Sequence, residues 1–352
     1  MNHTLLFLKE NDVVKKAMSI IDKTKAKLAL VLDKKDSLIG TVTDGDIRRA
    51  ILRGEALQSP VKNIMNKKFK YLEESISINK SNSFFKDLKK ESIRAIPVIN
   101  KEKKVVKVII LDEIFGEAPV NSPVVIMAGG KGSRLYPITE NCPKPMLQVG
   151  GKPMLELIIN NYISSGFKKF YISVNYMKDK IINYFGDGKK LNIEIEYLIE
   201  EKPLGTAGSL SLLPETIDDT FIVINGDVIT QLNPLDLLNF HESQNADGTL
   251  CAVETEFNFP YGVLETNGIN LEGIKEKPSY KNHINAGIYV LNPKLISFIE
   301  KGKYLDMPDL FIKAKLNKKK MIVYPIHEYW IDVGLPDKFK KVQLDIENGK
   351  TF

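Results

Sequence analysis

The sequence predicts an α/β protein whose main domain, residues 124–352, is a doubly wound and mainly parallel sheet, preceded by a smaller α+β unit over residues 1–118. Three observations carry that expectation. From Val124 onward, strand-type apolar runs alternate with segments of helical periodicity, the order that builds a parallel sheet through crossover connections. The first run, Val124 to Met127, stops at Ala128 in a turn with glycines at 129, 130 and 132, and open α/β sheets bind ligands at such strand ends. The N-terminal unit instead repeats one short element that the rest of the chain lacks.

A chain of 352 residues is long for one domain and suggests about two. Its 43% hydrophobic and 27% charged content is that of an ordinary soluble globular protein. The net charge of +6 suits small polyanionic substrates; without a basic, aromatic-interleaved tract, nucleic-acid binding is not expected. Cys142 and Cys251 are far apart and lack metal-ligand spacing, which points to reduced thiols. The first ten residues turn charged too soon for a signal peptide, and no apolar run approaches the roughly 18 residues of a membrane span, so a cytoplasmic location without membrane partners is expected.

Within the first unit, residues 31–47 and 98–114 align without a gap, Val31 on Val98 and Asp46 on Glu113. Each copy reads as strand, charged hairpin turn, strand and helix, preceded by a helical segment, Val13 to Lys23 in one and Phe84 to Lys90 in the other. Repeats of about 1–60 and 61–118 are too small to bury their apolar faces well alone, so they are expected to pack against each other. This half resembles a tandem pair of CBS domains, because Gly40-Thr-Val-Thr43-Asp-Gly-Asp46-Ile47 matches that family's nucleotide-contacting turn. The resemblance implies that Thr43 and Asp46 hold ribose hydroxyls of an adenine nucleotide, a task suited to a short hydroxyl and a carboxylate acceptor. In the second copy Ile110 and Glu113 stand at those positions, so one ligand site per pair is expected; a pair kept for dimerisation alone stays open. Pro119 and Pro123 bound a short, stiff linker, residues 119–123.

The main domain opens with Ala128-Gly129-Gly130-Lys-Gly132-Ser133-Arg134-Leu135. Its glycines allow backbone conformations and close approaches that a Cβ forbids, and consecutive N–H groups in such a turn cradle an anion. Arg134 adds a planar fork suited to phosphate, and Lys144, between two prolines, adds a point charge. Two familiar phosphate loops fail on spacing. The dinucleotide fingerprint lacks its third glycine, because position 135 is Leu, and the Walker pattern fails because Gly151-Lys152 leads into Pro153. What remains, with Pro143-Lys-Pro-Met146 behind it, resembles the opening motif of the sugar-1-phosphate nucleotidyltransferases, with Ser133 for the usual Thr. That resemblance implies a Rossmann-like, GT-A-like fold and nucleotide contacts from Ala128, Gly129, Gly130, Gly132 and Ser133.

Further along, Met154 to Ser165 has helical spacing and ends at Gly166; Lys169 to Val174 is a strand, a helix runs through Phe185, and Ile193 to Leu198 is another strand. In Leu204-Gly205-Thr206-Ala-Gly208 the glycines permit close approach and Thr206 is placed to cap the following helix. Preceded by Glu-Lys-Pro, this stretch resembles the family's nucleobase loop, in the form most familiar in its guanylyltransferase branch.

The strand Thr220 to Asn225 delivers Gly226-Asp227, and Trp330-Ile-Asp332-Val-Gly334 repeats that arrangement. Two carboxylates from separate strand ends suit Mg²⁺, which takes one or two carboxylates with water and substrate phosphates; the resemblance assigns Asp227 and Asp332 that role. Tyr261-Gly262-Val263, Glu276-Lys277-Pro278 and Asn285-Ala-Gly287 resemble the family's sugar-site elements. They imply that Tyr261, Gly262, Glu276 and Asn285 shape the sugar site and that Lys277 meets the sugar phosphate. Lys152, in a Gly-Lys-Pro element, reads equally as a cleft or a surface lysine, and helices are expected from Pro308 and over Asp337 to Asn348.

The reaction implied is attack of a sugar-1-phosphate oxygen on the α-phosphorus of a nucleoside triphosphate, with pyrophosphate leaving. Catalysis is then alignment and charge stabilisation by Arg134 on the β and γ phosphates, Lys144 on the α-phosphate and Asp227 on the metal. The attacking phosphate is already ionised, so the four histidines, all outside the motifs, are not needed. A CBS pair ahead of such a domain resembles the glucosamine-1-phosphate guanylyltransferases of bacterial legionaminic acid biosynthesis, which implies GTP, glucosamine-1-phosphate and a homo-oligomer. Mannose-1-phosphate with GTP, a UTP, CTP or dTTP enzyme, and a non-catalytic nucleotide sensor are the alternatives.

Overall fold

The computed structural model describes residues 3–74, 88, 93–111, 113, 120–350 and 352. The expected helix over Phe84 to Lys90 (Leu88 apart) and the first linker residue, Pro119, lie outside them. The chain divides into two compact units, Met1–Pro119 and Val120–Phe352.

The first unit builds the same sheet twice. Strands β1 (Phe7–Lys9), β2 (Leu28–Leu32) and β3 (Leu38–Thr43) lie in that order, with helix α1 (Val14–Lys23) between β1 and β2 and α2 (Asp44–Leu52) after β3. Strands β4 (Leu72–Glu73), β5 (Ala95–Ile99) and β6 (Val105–Ile110) form the second copy. In both, the first pair is parallel and the second antiparallel. The repeat extends to an irregularity: the antiparallel register shifts between Val31 and Leu32 in one copy and at the aligned Val98 and Ile99 in the other. The copies pack against each other as expected, since Leu30, Leu32 and Leu38 share one core with Ala95, Ile99 and Ile110. Shared burial offsets the large exposed surface of units this small.

The second unit is a sheet of seven strands in the order β11, β10, β7, β12, β17, β14, β18. They are β7 (Val124–Met127), β10 (Lys169–Val174), β11 (Glu194–Ile199), β12 (Phe221–Asn225), β14 (Gly248–Asn258), β17 (Ser279–Leu291) and β18 (Met321–Ile326). From β11 to β12 the strands are parallel; β17 runs antiparallel between β12 and β14, and β14 and β18 are parallel again. Both faces are covered, which is why β7 and β12, up to Asn225, read as apolar runs. Val124 and Ile126 point into one core with Leu155, Ile158 and Ile159 of helix α3 (Met154–Ser164). Val125 points the other way, into a core with Leu310, Phe311 and Ala314 of a helix over Met307–Leu316.

Helix α4 (Lys178–Phe185) joins β10 to β11, and a single turn, α5 (Gly205–Gly208), follows β11. Helix α6 (Pro234–Ser243) precedes β14, α7 is the Met307–Leu316 helix, and α8 (Pro336–Glu347) closes the chain. Small ladders join β8 (Gln148–Val149) to β9 (Lys152–Pro153) and β13 (Val228–Thr230) to β19 (Trp330–Asp332). Beyond the sheet, β14 and β17 continue as a largely exposed two-stranded arm that carries the hairpin β15 (Val263–Asn267) and β16 (Asn270–Lys275). Among the described residues no helix is long and apolar enough to cross a membrane.

Candidate active site

Parallel pairing sets Asn225 at the end of β12 beside Met127 at the end of β7, so the loops that follow leave the same edge of the sheet. Gly226 is required there: its N–H donates to the Met127 carbonyl at 2.8 Å, and a Cβ would lie 2.7 Å from that oxygen. Asp227 comes next. The antiparallel ladder of β13 and β19 pairs Val228 with Asp332, and the Val333 N–H donates to the Asp227 carbonyl at 2.9 Å, which brings two carboxylates from distant segments side by side.

Lys144, in a 3-10 turn over Lys144–Met146, is 8% exposed. Its ammonium pairs with Asp227 and lies 4.0 Å from Oδ1 of Asp332. The glycine turn closes on the stem of this lysine. Gly132 has φ +65°, which a side chain rarely adopts, and a Cβ there would lie 2.8 Å from Cβ of Lys144. Thr139 fixes the same point by donating to the Gly132 carbonyl at 3.0 Å. Arg134 is exposed, and a Cβ on Gly334 would lie 3.1 Å from its Nη2 and 3.0 Å from Oδ1 of Asp332, so the guanidinium and this carboxylate flank the same glycine.

Burial pushes the Asp332 carboxyl above its ordinary range, and the charge of Asp227 adds to the shift, while Lys144, Arg134 and Lys338 oppose it. Oδ1 of Asp227 and Oδ1 of Asp332 are both buried without a hydrogen-bond partner. Unpartnered hard oxygens beside each other fit Mg²⁺. Among the described residues no group of three or more His, Cys, Asp or Glu is placed to hold a metal ion.

Glu200, directly after β11, is a residue to which the sequence reading gave no task. It is buried, its carboxylate accepts from Ser173 Oγ and from the Leu204 N–H at 2.8 Å, and Oε1 lies 2.9 Å from where a Cβ on Gly129 would stand. One carboxylate therefore joins the turn at 128–132 to the loop at 204–208. The only signal in the sequence was an acidic residue directly after a strand that opens by alternating charged and apolar residues. Ala128, 1% exposed, donates its N–H to the Ser173 carbonyl and anchors the turn, whereas a Cβ on Gly130 would meet open space.

The 204–208 loop corrects one expectation. Thr206 does not cap the helix that follows it, because it lies inside α5; its hydroxyl accepts from the Met307 N–H at 2.8 Å and so caps α7, about a hundred residues on. The glycines make room for the protein's own backbone. A Cβ on Gly205 would lie 2.5 Å from the Leu305 carbonyl oxygen, and one on Gly208 would lie 2.5 Å from that of Lys303. Leu204 is 3% exposed, and its side chain belongs to the packing beneath the loop.

The expected sugar-site residues fall in two places. Asn285, on β17, donates to the Tyr289 hydroxyl at 2.7 Å and accepts from the Gly287 N–H at 3.0 Å, and a Cβ on Gly287 would lie 2.7 Å from Nδ2 of Asn225 beside Asp227. Tyr261, Gly262, Glu276 and Lys277 stand on the exposed arm, where Glu276 Oε2 lies 3.1 Å from the Cβ position of Gly262. Tyr261 is 77% exposed, and Lys277 sits at φ +43°. Lys152 is exposed and pairs with Glu156 at 2.9 Å, the surface reading.

In the first unit, Thr43 and Asp46 form a capping box at the start of α2. Asp46 Oδ2 accepts from the Thr43 N–H at 2.9 Å and its hydroxyl at 2.7 Å, and Oδ1 takes Arg49 at 2.7 Å. The two residues of the expected ribose site thus bind each other, a structural task the sequence reading had not given them.

The nucleotidyl transferase family model matches residues 123–349, and the CBS domain model matches residues 1–53 and 61–119. Mannose-1-phosphate guanylyltransferase of Mycobacterium tuberculosis is 33% identical over 233 residues, covering 64% of this chain and 64% of that protein. The bifunctional protein GlmU of Methanococcus vannielii is 37% identical over 227 residues, covering 60% of this chain and 52% of that protein. The chain thus matches less than two thirds of the length of these relatives. HddC from Yersinia pseudotuberculosis, crystallised with GMP-PN, superposes with a TM-score of 0.51 at 28% identity, covering 64% of this chain and 99% of that one.

Proposed function

The chain belongs to the nucleotidyl transferase family, with a CBS pair ahead of the transferase domain, and from that premise we propose that it transfers GMP from GTP to a sugar-1-phosphate and releases pyrophosphate. One observation carries this reading: a buried lysine ammonium sits with two neighbouring carboxylates beside a glycine turn, and an exposed arginine flanks the same site across Gly334. Arg134 holds the β and γ phosphates that leave, Lys144 holds the α-phosphate, and N–H groups of the 129–133 turn take the remaining phosphate oxygens. Asp227 and Asp332 hold Mg²⁺, which when bound neutralises phosphate charge. The acceptor phosphate enters as an anion, so none of these residues has to remove a proton.

For the base, Glu200 offers a fixed anionic acceptor between the two loops, the group that the adjacent N–H donors of a guanine edge require. The guanylyltransferase among the relatives and the GMP-PN complex of HddC support the same choice. Tyr261, Gly262, Glu276, Lys277 and Asn285 form the sugar side, with glucosamine-1-phosphate as the acceptor. Mannose-1-phosphate is the second reading, favoured by the name of the Mycobacterium relative. The CBS pair adds regulation by an adenine nucleotide at Thr43 and Asp46.

Pyrophosphate release from GTP, UTP, CTP and dTTP, each with glucosamine-1-phosphate, mannose-1-phosphate or glucose-1-phosphate and Mg²⁺, tests the proposal. Release with GTP and one amino- or neutral hexose phosphate is expected. Silence with every pair would leave only the nucleotide-sensor alternative.

A further inference from the structure

Asp306 occupies the N-cap position of α7 but makes no side-chain bond to its own helix. Its Oδ1 instead accepts from the Thr206 N–H at 3.1 Å and the Thr206 hydroxyl at 3.2 Å, and Oδ2 accepts from the Tyr304 hydroxyl at 2.8 Å. Thr206 returns the bond by accepting from the Met307 N–H at 2.8 Å. The cap of α7 has been exchanged across the chain, so the start of this helix and the 204–208 loop satisfy each other's polar groups.

Backbone bonds reinforce the exchange. Ala207 and Gly208 both donate to the Leu305 carbonyl at 2.9 Å, and the Leu305 N–H donates to the Leu204 carbonyl at 2.9 Å. Ser211 accepts from the Gly302 N–H at 3.4 Å and donates to the Gly208 carbonyl at 2.6 Å. The absence of Cβ atoms at 205 and 208 is what lets segment 303–307 lie this close.

We infer that Asp306, through Thr206, is a positioning residue for base recognition: the strap 303–307 sets the height and tilt of the 204–208 loop, and with it which nucleobase the loop accepts. The inference rests on the reading of 204–208 as the nucleobase loop. It follows physically from where the bonds go. The strap bonds to the loop at Leu204, Thr206, Ala207 and Gly208, whereas the Glu200 carboxylate holds it only at the Leu204 N–H, so the part of the loop beyond Leu204 takes its polar bonds to the rest of the fold from the strap.

Steady-state pyrophosphate release and equilibrium binding of a fluorescent GTP analogue test it in the full chain. Asp306→Ala should raise the KM and the Kd for GTP about tenfold, change kcat and the KM of the sugar-1-phosphate less than about threefold, and lower the GTP-to-UTP ratio of kcat/KM. Asp306→Asn, which keeps the accepting oxygen, should restore parent values to within about threefold. Thr206→Val, which removes the hydroxyl and keeps the shape, supplies the same test should Asp306→Ala not fold. Unchanged GTP affinity and base ratio in a folded Asp306→Ala or Thr206→Val, or an equal loss for GTP, UTP and sugar phosphate, would overturn the strap. A parent enzyme that binds GTP without releasing pyrophosphate would fail the proposed reaction and leave the Kd comparison to judge the strap; a parent that binds no nucleotide would sink both.

Discussion

The ammonium of Lys144 rests on the carboxylate of Asp227 and lies 4.0 Å from that of Asp332, so a single buried cation answers two acids delivered by different strands. The Asp332 carboxyl is pushed upward by burial and by the charge of Asp227, and the Lys144 ammonium opposes that shift. Lys144→Met removes that cation, and Arg134→Ala removes its exposed counterpart. Each variant is expected to lower kcat/KM for pyrophosphate release by about 10²- to 10³-fold, the scale of one lost charge-stabilising donor. Parent rates in folded Arg134→Ala protein would remove the glycine turn from the reaction.

The partnerless Oδ1 atoms of Asp227 and Asp332 lead to a metal prediction. Chelation should stop pyrophosphate release and Mg²⁺ should restore it. Calorimetry with Mn²⁺ should show at least about tenfold weaker binding in Asp227→Asn with Asp332→Asn, because an amide oxygen is neutral and a hard cation selects charged oxygens. Equal Mn²⁺ affinity in parent and double variant would place the metal elsewhere.

Much of this site was legible in the sequence because its chemistry is written in short contiguous stretches. Gly226-Asp227 and Asp332 were each visible as an acid at a strand end, and the ladder of β13 and β19 confirms that they meet. The sheet was legible for a related reason: β7 and β12 are buried on both faces and read as apolar runs up to their last residues. What escaped depends on partners far away in sequence. No local pattern says that the glycines at 205 and 208 receive the backbone of Lys303 and Leu305, or that Thr206 caps a helix about a hundred residues later. Glu200 escaped because a lone acid after a strand is usually a turn residue, and only the fold sets it against Gly129. The antiparallel β17 was hidden too, since a buried strand reads the same in either direction.

The capping box of Thr43 and Asp46 gives the N-terminal unit a prediction with two opposed outcomes. Calorimetry on the full chain should show an adenine nucleotide binding that Asp46→Ala weakens at least tenfold, and the same nucleotide should change the rate of pyrophosphate release. Loss of the cap alone costs about 1 kcal/mol of stability and leaves ligand binding at the transferase domain untouched. If Asp46→Ala only lowers the unfolding midpoint and no adenine nucleotide binds the parent, the pair is a helix cap and nothing more.

His241 supplies a pH prediction that is independent of the reaction. It is 2% exposed on α6, its Nδ1 lies 2.8 Å from the Thr249 hydroxyl, and burial lowers its pKa from 6.5 to about 4, with Asp247 opposing the shift. The imidazole is therefore neutral in the fold, whereas the unfolded chain takes up a proton below about pH 6.5. With the folded pKa lowered, this contribution to stability is complete above pH 6.5, declines as pH falls from 6.5 to about 4, and declines no further below that. The full loss is on the order of 3 kcal/mol. Other acids titrate in the same range, so the comparison that isolates the histidine is with His241→Gln, which keeps a polar side chain facing Thr249 and has no proton to gain. Between pH 7 and pH 4.5 the urea-derived stability of the parent should fall by more than that of His241→Gln, with the gap opening below pH 6.5. Parallel curves for the two proteins would mean that His241 is protonated in the fold or reaches solvent on the timescale of the measurement.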